Sequence, residues 1–206
     1  MPFHGVLKMF DYLRADLNRK RNHYFLSDTF FEKFIKTSLQ LGTLAVINYR
    51  FGSWCKRIKN PGVKLVWLLI YYGTNFFVRT ATHIAINPKL RIGKGFIIHN
   101  FSGVVVDAEA IGENLTVNQG VSIGADWLCQ GRPIIGNNVF IGAGAKVLGR
   151  IQIGDNVVIA ANALVIQAVP DNCTVVGVPA RIISRQATSI YLQLGAASTQ
   201  ATAPQS

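Results

Sequence analysis

Cysteine is scarce in this chain: Cys55, Cys129 and Cys173 are odd in number and far apart among 206 residues. That pattern excludes both a disulfide framework and a cysteine zinc site, and it reads as reduced thiols in a cytoplasmic setting. Acidic residues are also few, ten against twenty-one Lys and Arg, for a formal net charge of +11. Of four histidines only His99 lies beyond residue 85, too few there for a histidine-built metal centre. The opening stretch MPFHGVLKMFDYLRADLNRK lacks the apolar core of a secretory signal. No apolar run reaches the ~20 residues that a spanning helix wants.

The positive charge is unevenly placed. Residues 1–80 hold thirteen Lys and Arg against four acids, whereas the remainder holds eight against six. A basic N-terminal surface is therefore expected to meet something anionic: a membrane surface, an acidic glycan or a partner protein. Nucleic acid is not expected, because no recognised binding motif accompanies the charge. A peripheral position at the inner face of the membrane is compatible with this balance.

Residues 8–58 carry apolar side chains at helical spacing, through Phe30, Phe31, Phe34, Ile35 and Leu39 and again through Leu44, Ile47, Phe51 and Trp54. Lys59-Asn60-Pro61-Gly62 stops that segment. Val63–Val78 follows, an apolar run interrupted only by Lys64, Gly73, Thr74 and Asn75. Two readings stand for it. One is a helix buried in the protein or packed against another subunit; the other is an interfacial helix with Trp67, Tyr71, Tyr72 and neighbouring bases at headgroup level.

From Ile86 the rhythm changes. Aliphatic residues recur every six: Ile92, Ile98, Val104; Ile111, Val117, Ile123; Ile135, Ile141, Val147, Ile153, Ile159, Val165. Small residues often follow them, as at Gly93, Gly112, Gly124, Gly136, Gly142, Gly154 and Ala160. A helix repeats every 3.6 residues and a strand every two, so neither yields a period of six. A three-sided coil does: each short strand sends one aliphatic side chain inward, and a small residue follows at the bend. The expected fold is mainly β, a left-handed parallel β-helix of hexapeptide repeats making roughly five turns, preceded by an α-helical N-terminal region. The expected organisation is a basic helical region at 1–85, the β-helix at 86–185 and a disordered tail rich in Ala, Ser, Thr and Gln at 186–206. Ala125–Pro133 breaks the phase and should leave the coil as a loop, a favoured place for binding groups.

The repeats, together with Gly142-Ala143-Gly144-Ala145-Lys146-Val147-Leu148-Gly149 and Val176-Gly177-Val178-Pro179-Ala180-Arg181-Ile182, resemble the serine acetyltransferase family of hexapeptide-repeat acyltransferases. Leu41–Arg50 resembles the helical segment that precedes its β-helix, so the resemblance runs over about residues 10–185. The same residues resemble acetyltransferases of exopolysaccharide gene clusters, which acetylate sugars. The resemblance implies a homotrimer with acetyl-CoA in a cleft between neighbouring β-helices, and a histidine general base, often oriented by an acid, acting on an acceptor hydroxyl. No metal is expected: a γ-class carbonic anhydrase shares the fold but needs three histidines, and the repeats hold one.

The chain departs from the family at the site itself. Asn100 occupies the position of the family histidine, and His99 stands one residue earlier. Ala85 replaces the orienting acid, Asn87 the following histidine, and Gly131-Arg132-Pro133 stands where the family has Arg-His-Pro. His99 remains the candidate base, since an imidazole titrates near neutral pH and can take a proton from an alcohol. Asn100 is a candidate for orienting substrate. Arg132 could hold an acceptor carboxylate or a CoA phosphate, its guanidinium suiting oxyanions, or be a solvated loop residue. Gly124, Ala125, Gly142 and Ala143 are candidates for lining the CoA channel or are simply the small residues that the bends require. Lys146 and Arg181 are candidates for the CoA phosphates by analogy alone. The expected activity is acetyl transfer from acetyl-CoA to a hydroxyl of a sugar or of L-serine, with a sugar favoured by these departures. The alternative is a catalytically silent trimer acting as scaffold or regulator.

Overall fold

A computed structural model describes residues 3–24, 40–99, 102–126 and 131–186. The tail expected beyond 186, apart from Gln186 itself, the Phe30–Leu39 helical stretch, Asn100 and the middle of the 125–133 loop lie outside the described residues. Among the described residues three helices come first: α1 (Phe3–Tyr24), α2 (Leu41–Arg57) and α3 (Pro61–Thr82). Short strands then wind into three parallel faces. One face stacks β1 (Ile84–Ile86), β4 (Val104–Val106), β7 (Ser122–Gly124), β10 (Lys146–Leu148) and β13 (Leu164–Val165). The second stacks β2 (Arg91–Ile92), β5 (Ala110–Ile111), β8 (Ile134–Ile135) and β11 (Gln152–Ile153). The third stacks β3 (Ile97–Ile98), β6 (Thr116–Val117), β9 (Phe140–Ile141), β12 (Val158–Ile159) and β14 (Thr174–Val176), and closes with the antiparallel β15 (Arg181–Ser184).

The six-residue period is visible in the register. Ile92, Ile111, Ile135 and Ile153 align on the second face, and Ile98, Val117, Ile141, Ile159 and Val175 on the third. All are buried, because each strand gives one side chain to a common axis and neighbouring coils cover it from above and below. The first face corrects one expectation. Val106, not Val104, aligns with Ile123, and Val104 pairs with Ile84 although it too is buried. The shift of two residues arises at the corner between His99 and Val104, where Ser102 (φ 91°) and Gly103 (φ 68°) carry left-handed backbone. The first strand also begins at Ile84, slightly before the expected Ile86.

The corner between the second and third faces is an asparagine ladder. Asn114, Asn138, Asn156 and Asn172 all have φ between 54° and 60°, a conformation asparagine tolerates better than most residues. Each side-chain amide donates to the next: Asn114 to Asn138 (2.9 Å), Asn138 to Asn156 (3.0 Å), Asn156 to Asn172 (2.9 Å). The ladder thus satisfies polar side chains in a place where only left-handed residues fit.

A β-helix leaves the backbone groups of its first coil unpaired, and buried unpaired groups are costly. Here α1 and α2 cover that edge with side chains. Arg50 donates to the carbonyls of Ile92 (2.8 Å) and Gly93 (2.6 Å), and Lys20 to that of Ile98 (2.9 Å). Asp16 accepts from the Phe96 amide (2.8 Å), while the Tyr49 hydroxyl donates to Leu90 O and accepts from Ile92 N. Arg19 donates to the Gly95 carbonyl and to Thr116 Oγ1. Asp16 and Arg50 are themselves paired at 2.8 Å with both side chains almost wholly buried. Burial pushes the Asp16 carboxyl up, against the opposing pull of Arg50. Burial lowers Lys20 to about 8. Part of the basic content of the N-terminal region is therefore structural: Arg19, Lys20 and Arg50 cap backbone carbonyls.

Asn60 caps α3, its Oδ1 accepting from the amides of Gly62 and Val63, with Pro61 at the first helical position. The helix packs on α2 through Tyr71, which lies against Gly52 so closely that a Cβ there would sit 2.2 Å from the ring. The chain then leaves α3 through His83 in left-handed conformation (φ 53°) and enters β1.

Candidate functional site

Two corners of the first face hold the residues that chemistry would use. The first is the corner that leads into β4. His99 directly follows β3, its backbone amide donating to Val117 O at 2.8 Å, and the residue is buried, 7 % exposed. The chain then turns through Ser102 and Gly103, and the Ser102 amide donates to the Thr82 carbonyl at the end of α3 (3.0 Å). His99 therefore stands on the chain where the helical region, the first coil and the second coil meet. The same corner is repeated above by Gly120 (φ 70°) and Gly144 (φ 73°), where the left-handed backbone favours glycine. Asn100 lies outside the described residues. Ala85 is in β1, paired in register with Val105, and brings no acid to this corner.

The second corner lies past the other end of β4. Asp107 follows the strand directly and receives two partners: Arg132 Nε at 2.8 Å on one carboxylate oxygen and Asn87 Nδ2 at 2.8 Å on the other. Asn87 is held in turn, its Oδ1 accepting from the Lys89 amide at 3.0 Å. Arg132 is half exposed and Asp107 partly exposed, so this is a surface network that positions groups and contributes little stability. The returning end of the loop is anchored nearby, where the Glu109 amide donates to Pro133 O (2.9 Å). His99 and Arg132 thus lie at opposite ends of β4 and are not brought together within one chain.

The remaining candidates are scattered over the coil. Gly124 ends β7 and Ala125 follows it, exposed, at the start of the loop. Gly142 is buried, and a Cβ on it would meet Ala161 N at 2.5 Å, so the stacking of coils by itself demands glycine there. Ala143 is partly exposed beside it. The Lys146 ammonium donates to the Gly120 carbonyl at 2.5 Å and so ties β10 to the glycine corner. Arg181 opens β15 and is exposed. Among the described residues no group of three or more His, Cys, Asp or Glu is arranged to hold a metal ion.

Asp107 is the residue that motif reading missed. Its signal was present: it is the first acid after Glu32, and it stands directly after three valines, where a strand must end.

Comparison with known proteins agrees with this architecture. Residues 132–167 match the bacterial transferase hexapeptide (six repeats) family model. A serine acetyltransferase of Synechococcus elongatus is 37% identical over 147 residues, covering 70% of this chain and 57% of that protein. Among solved structures, serine acetyltransferase from Vibrio cholerae is 28% identical with a TM-score of 0.76, covering 93% of this chain and 72% of that one. Serine acetyltransferase from Brucella abortus in complex with coenzyme A is 28% identical with a TM-score of 0.72, covering 89% and 73%. The chain spans little more than half the length of the curated relatives it matches. Repeat and coil together define a hexapeptide-repeat protein, a left-handed parallel β-helix behind a helical region. Within that class the chain is similar to serine acetyltransferases, the Vibrio cholerae structure covering both its coils and most of its helical lead-in.

Proposed function

We propose that this protein transfers an acetyl group from acetyl-CoA to an acceptor hydroxyl, as a homotrimer with the acyl donor lying between neighbouring β-helices. The observation that carries the reading is His99, the histidine of the repeat region, at the corner where the family keeps its catalytic imidazole one residue later. In this mechanism the neutral His99 ring takes the hydroxyl proton as the oxygen attacks the thioester carbonyl. Backbone amides stabilise the oxyanion, and the CoA thiolate leaves as the carbonyl re-forms, taking the proton from His99. Arg181, exposed on the last strand, suits a phosphate of the donor. Asn100 would orient the acceptor.

Similarity to serine acetyltransferases supports L-serine as acceptor. One observation favours a second acceptor, a neutral sugar hydroxyl. Arg132, the group best suited to a serine carboxylate, already has a carboxylate partner in Asp107, which Asn87 also engages. Thiol release from acetyl-CoA, measured with serine and with a panel of sugars and nucleotide sugars, decides between them. His99→Ala should lower kcat by ~10²–10⁴-fold with the donor still bound. Undiminished turnover in that variant would remove His99 from the reaction. Absence of turnover with every acceptor would favour a silent scaffold or regulator.

A further inference from the structure

Helix α3 is built inside out. Its contact with the rest of the protein is a narrow seam: Lys64, Leu68, Tyr71, Asn75, Val78 and Thr82, spaced by four and three residues, are the positions at least partly covered. The middle of that seam is polar. Asn48 of α2 donates to Asn75 Oδ1 (3.0 Å) and accepts from the Thr74 hydroxyl (3.0 Å), while the Tyr71 hydroxyl also reaches Asn75. The apolar side chains point the other way: Leu65, Leu69, Ile70, Tyr72, Phe76 and Phe77 are exposed, Phe77 by 73%. An ordinary surface helix puts its apolar stripe toward the core and its polar face toward water. A continuous exposed apolar face of this kind marks an interaction surface.

Charge identifies what it meets. Between Glu32 and Asp107 the chain has no Asp or Glu, yet it has eleven Lys and Arg. Arg57, Lys59 and Arg79 are exposed at or just beyond the ends of α3. Lys56 lies alongside its apolar face, donating to the Tyr72 hydroxyl (2.9 Å) with its ammonium over the ring. Trp67 packs on Trp54 at the shoulder of the helix. A second copy of the same face would bring like charges together without an acid to offset them. An anionic lipid surface offers hydrocarbon for the apolar face and phosphates for the flanking bases. No described helix is long and apolar enough to cross a bilayer. With 22 residues α3 is about 33 Å long, enough to lie along a membrane surface.

We infer that α3 docks this protein onto an anionic membrane surface, lying in the interface plane with Leu69, Ile70, Phe76 and Phe77 in the acyl boundary and Arg57, Lys59 and Arg79 among the headgroups. The test is flotation of the full chain with vesicles of phosphatidylcholine alone and of phosphatidylcholine with phosphatidylserine. Binding is expected to the anionic vesicles, at least tenfold tighter than to the neutral ones, and weaker as salt rises. Leu69→Gln with Phe77→Gln should abolish binding to both, with melting temperature unchanged because both side chains are already in water. Arg57→Glu with Lys59→Glu should remove the preference for anionic vesicles. Failure of the full chain to float with anionic vesicles at low salt would overturn the inference. So would a smaller assembly by light scattering in the Leu69/Phe77 variant without lipid, which would assign the face to a protein partner. The readout is flotation, so it stands or falls separately from acetyl transfer.

Discussion

In the coils, Ile141 and Ile159 are wholly buried and the asparagine ladder takes the corner; in α3, Asn75 turns toward the protein while Phe77 faces out. The two regions sort the same residue types in opposite directions because they have different surroundings. A coil is covered by the coils next to it, so its apolar column needs nothing from outside. Helix α3 touches the rest of the described protein along one seam, and the larger part of its apolar surface is exposed. Between them lies the capping layer of α1 and α2, where charged groups are buried to satisfy the first coil.

That layer is where the contrast breaks most sharply. Asp16→Ala leaves Arg50 buried without its carboxylate and frees the Phe96 amide, and should cost about 3–5 kcal/mol in denaturant unfolding. A loss below 1 kcal/mol would mean that the capping layer does not hold the first coil. Truncation within the two main regions gives the next contrast. Ile141→Ala should destabilise by about 2–5 kcal/mol because it opens a void in the column. Leu69→Ala on α3 should stay within about 0.5 kcal/mol, since its side chain is exposed. Equal losses at the two positions would show that α3 is covered in solution.

Lys20 gives a pH signature confined to the capping layer. Its folded pKa of about 8 lies below the ordinary 10.5, so between those values the folded protein holds fewer protons than the unfolded chain. Its destabilising contribution is complete below about pH 8 and is relieved as pH rises toward 10.5, by up to about 3 kcal/mol. Unfolding midpoints of the wild-type protein should therefore gain between pH 7.5 and 9.5 relative to Lys20→Met. Parallel profiles for the two proteins would place the Lys20 amine in water. On the ladder the loss should be smaller than in the aliphatic column: Asn138→Ala removes two amide bonds at a left-handed residue and should cost about 1–2 kcal/mol by thermal melting.

The coil was legible from residues 86 onward because a β-helix is quasi-one-dimensional: each coil meets only its neighbours, so the period in the chain is the period in space. The phase failed at Val104 because Ile98 and Val106 are eight residues apart where their partners Val117 and Ile123 are six apart, and Val104, by chance aliphatic, hid the two extra residues from a count of spacing. The candidate site was legible residue by residue but not as an arrangement. His99 could be read from its type and place among the repeats. That Asp107 draws Arg132 and Asn87 together could not, because the three are separated in the chain and meet only when consecutive coils stack.

What the amino-acid order determined by itself is the repeat, the aliphatic column, the helical lead-in and the excess of base over acid, all of them properties that neighbouring residues carry. Tertiary structure decided how those bases are used. Arg50 and Lys20 went to the open edge of the first coil, where unpaired carbonyls needed donors, and Arg57, Lys59 and Arg79 stayed on the surface around α3. It also decided which way α3 faces, since a run of Leu, Ile and Phe suits a protein core and a membrane surface equally until Asn48 pairs with Asn75 and turns the apolar side outward.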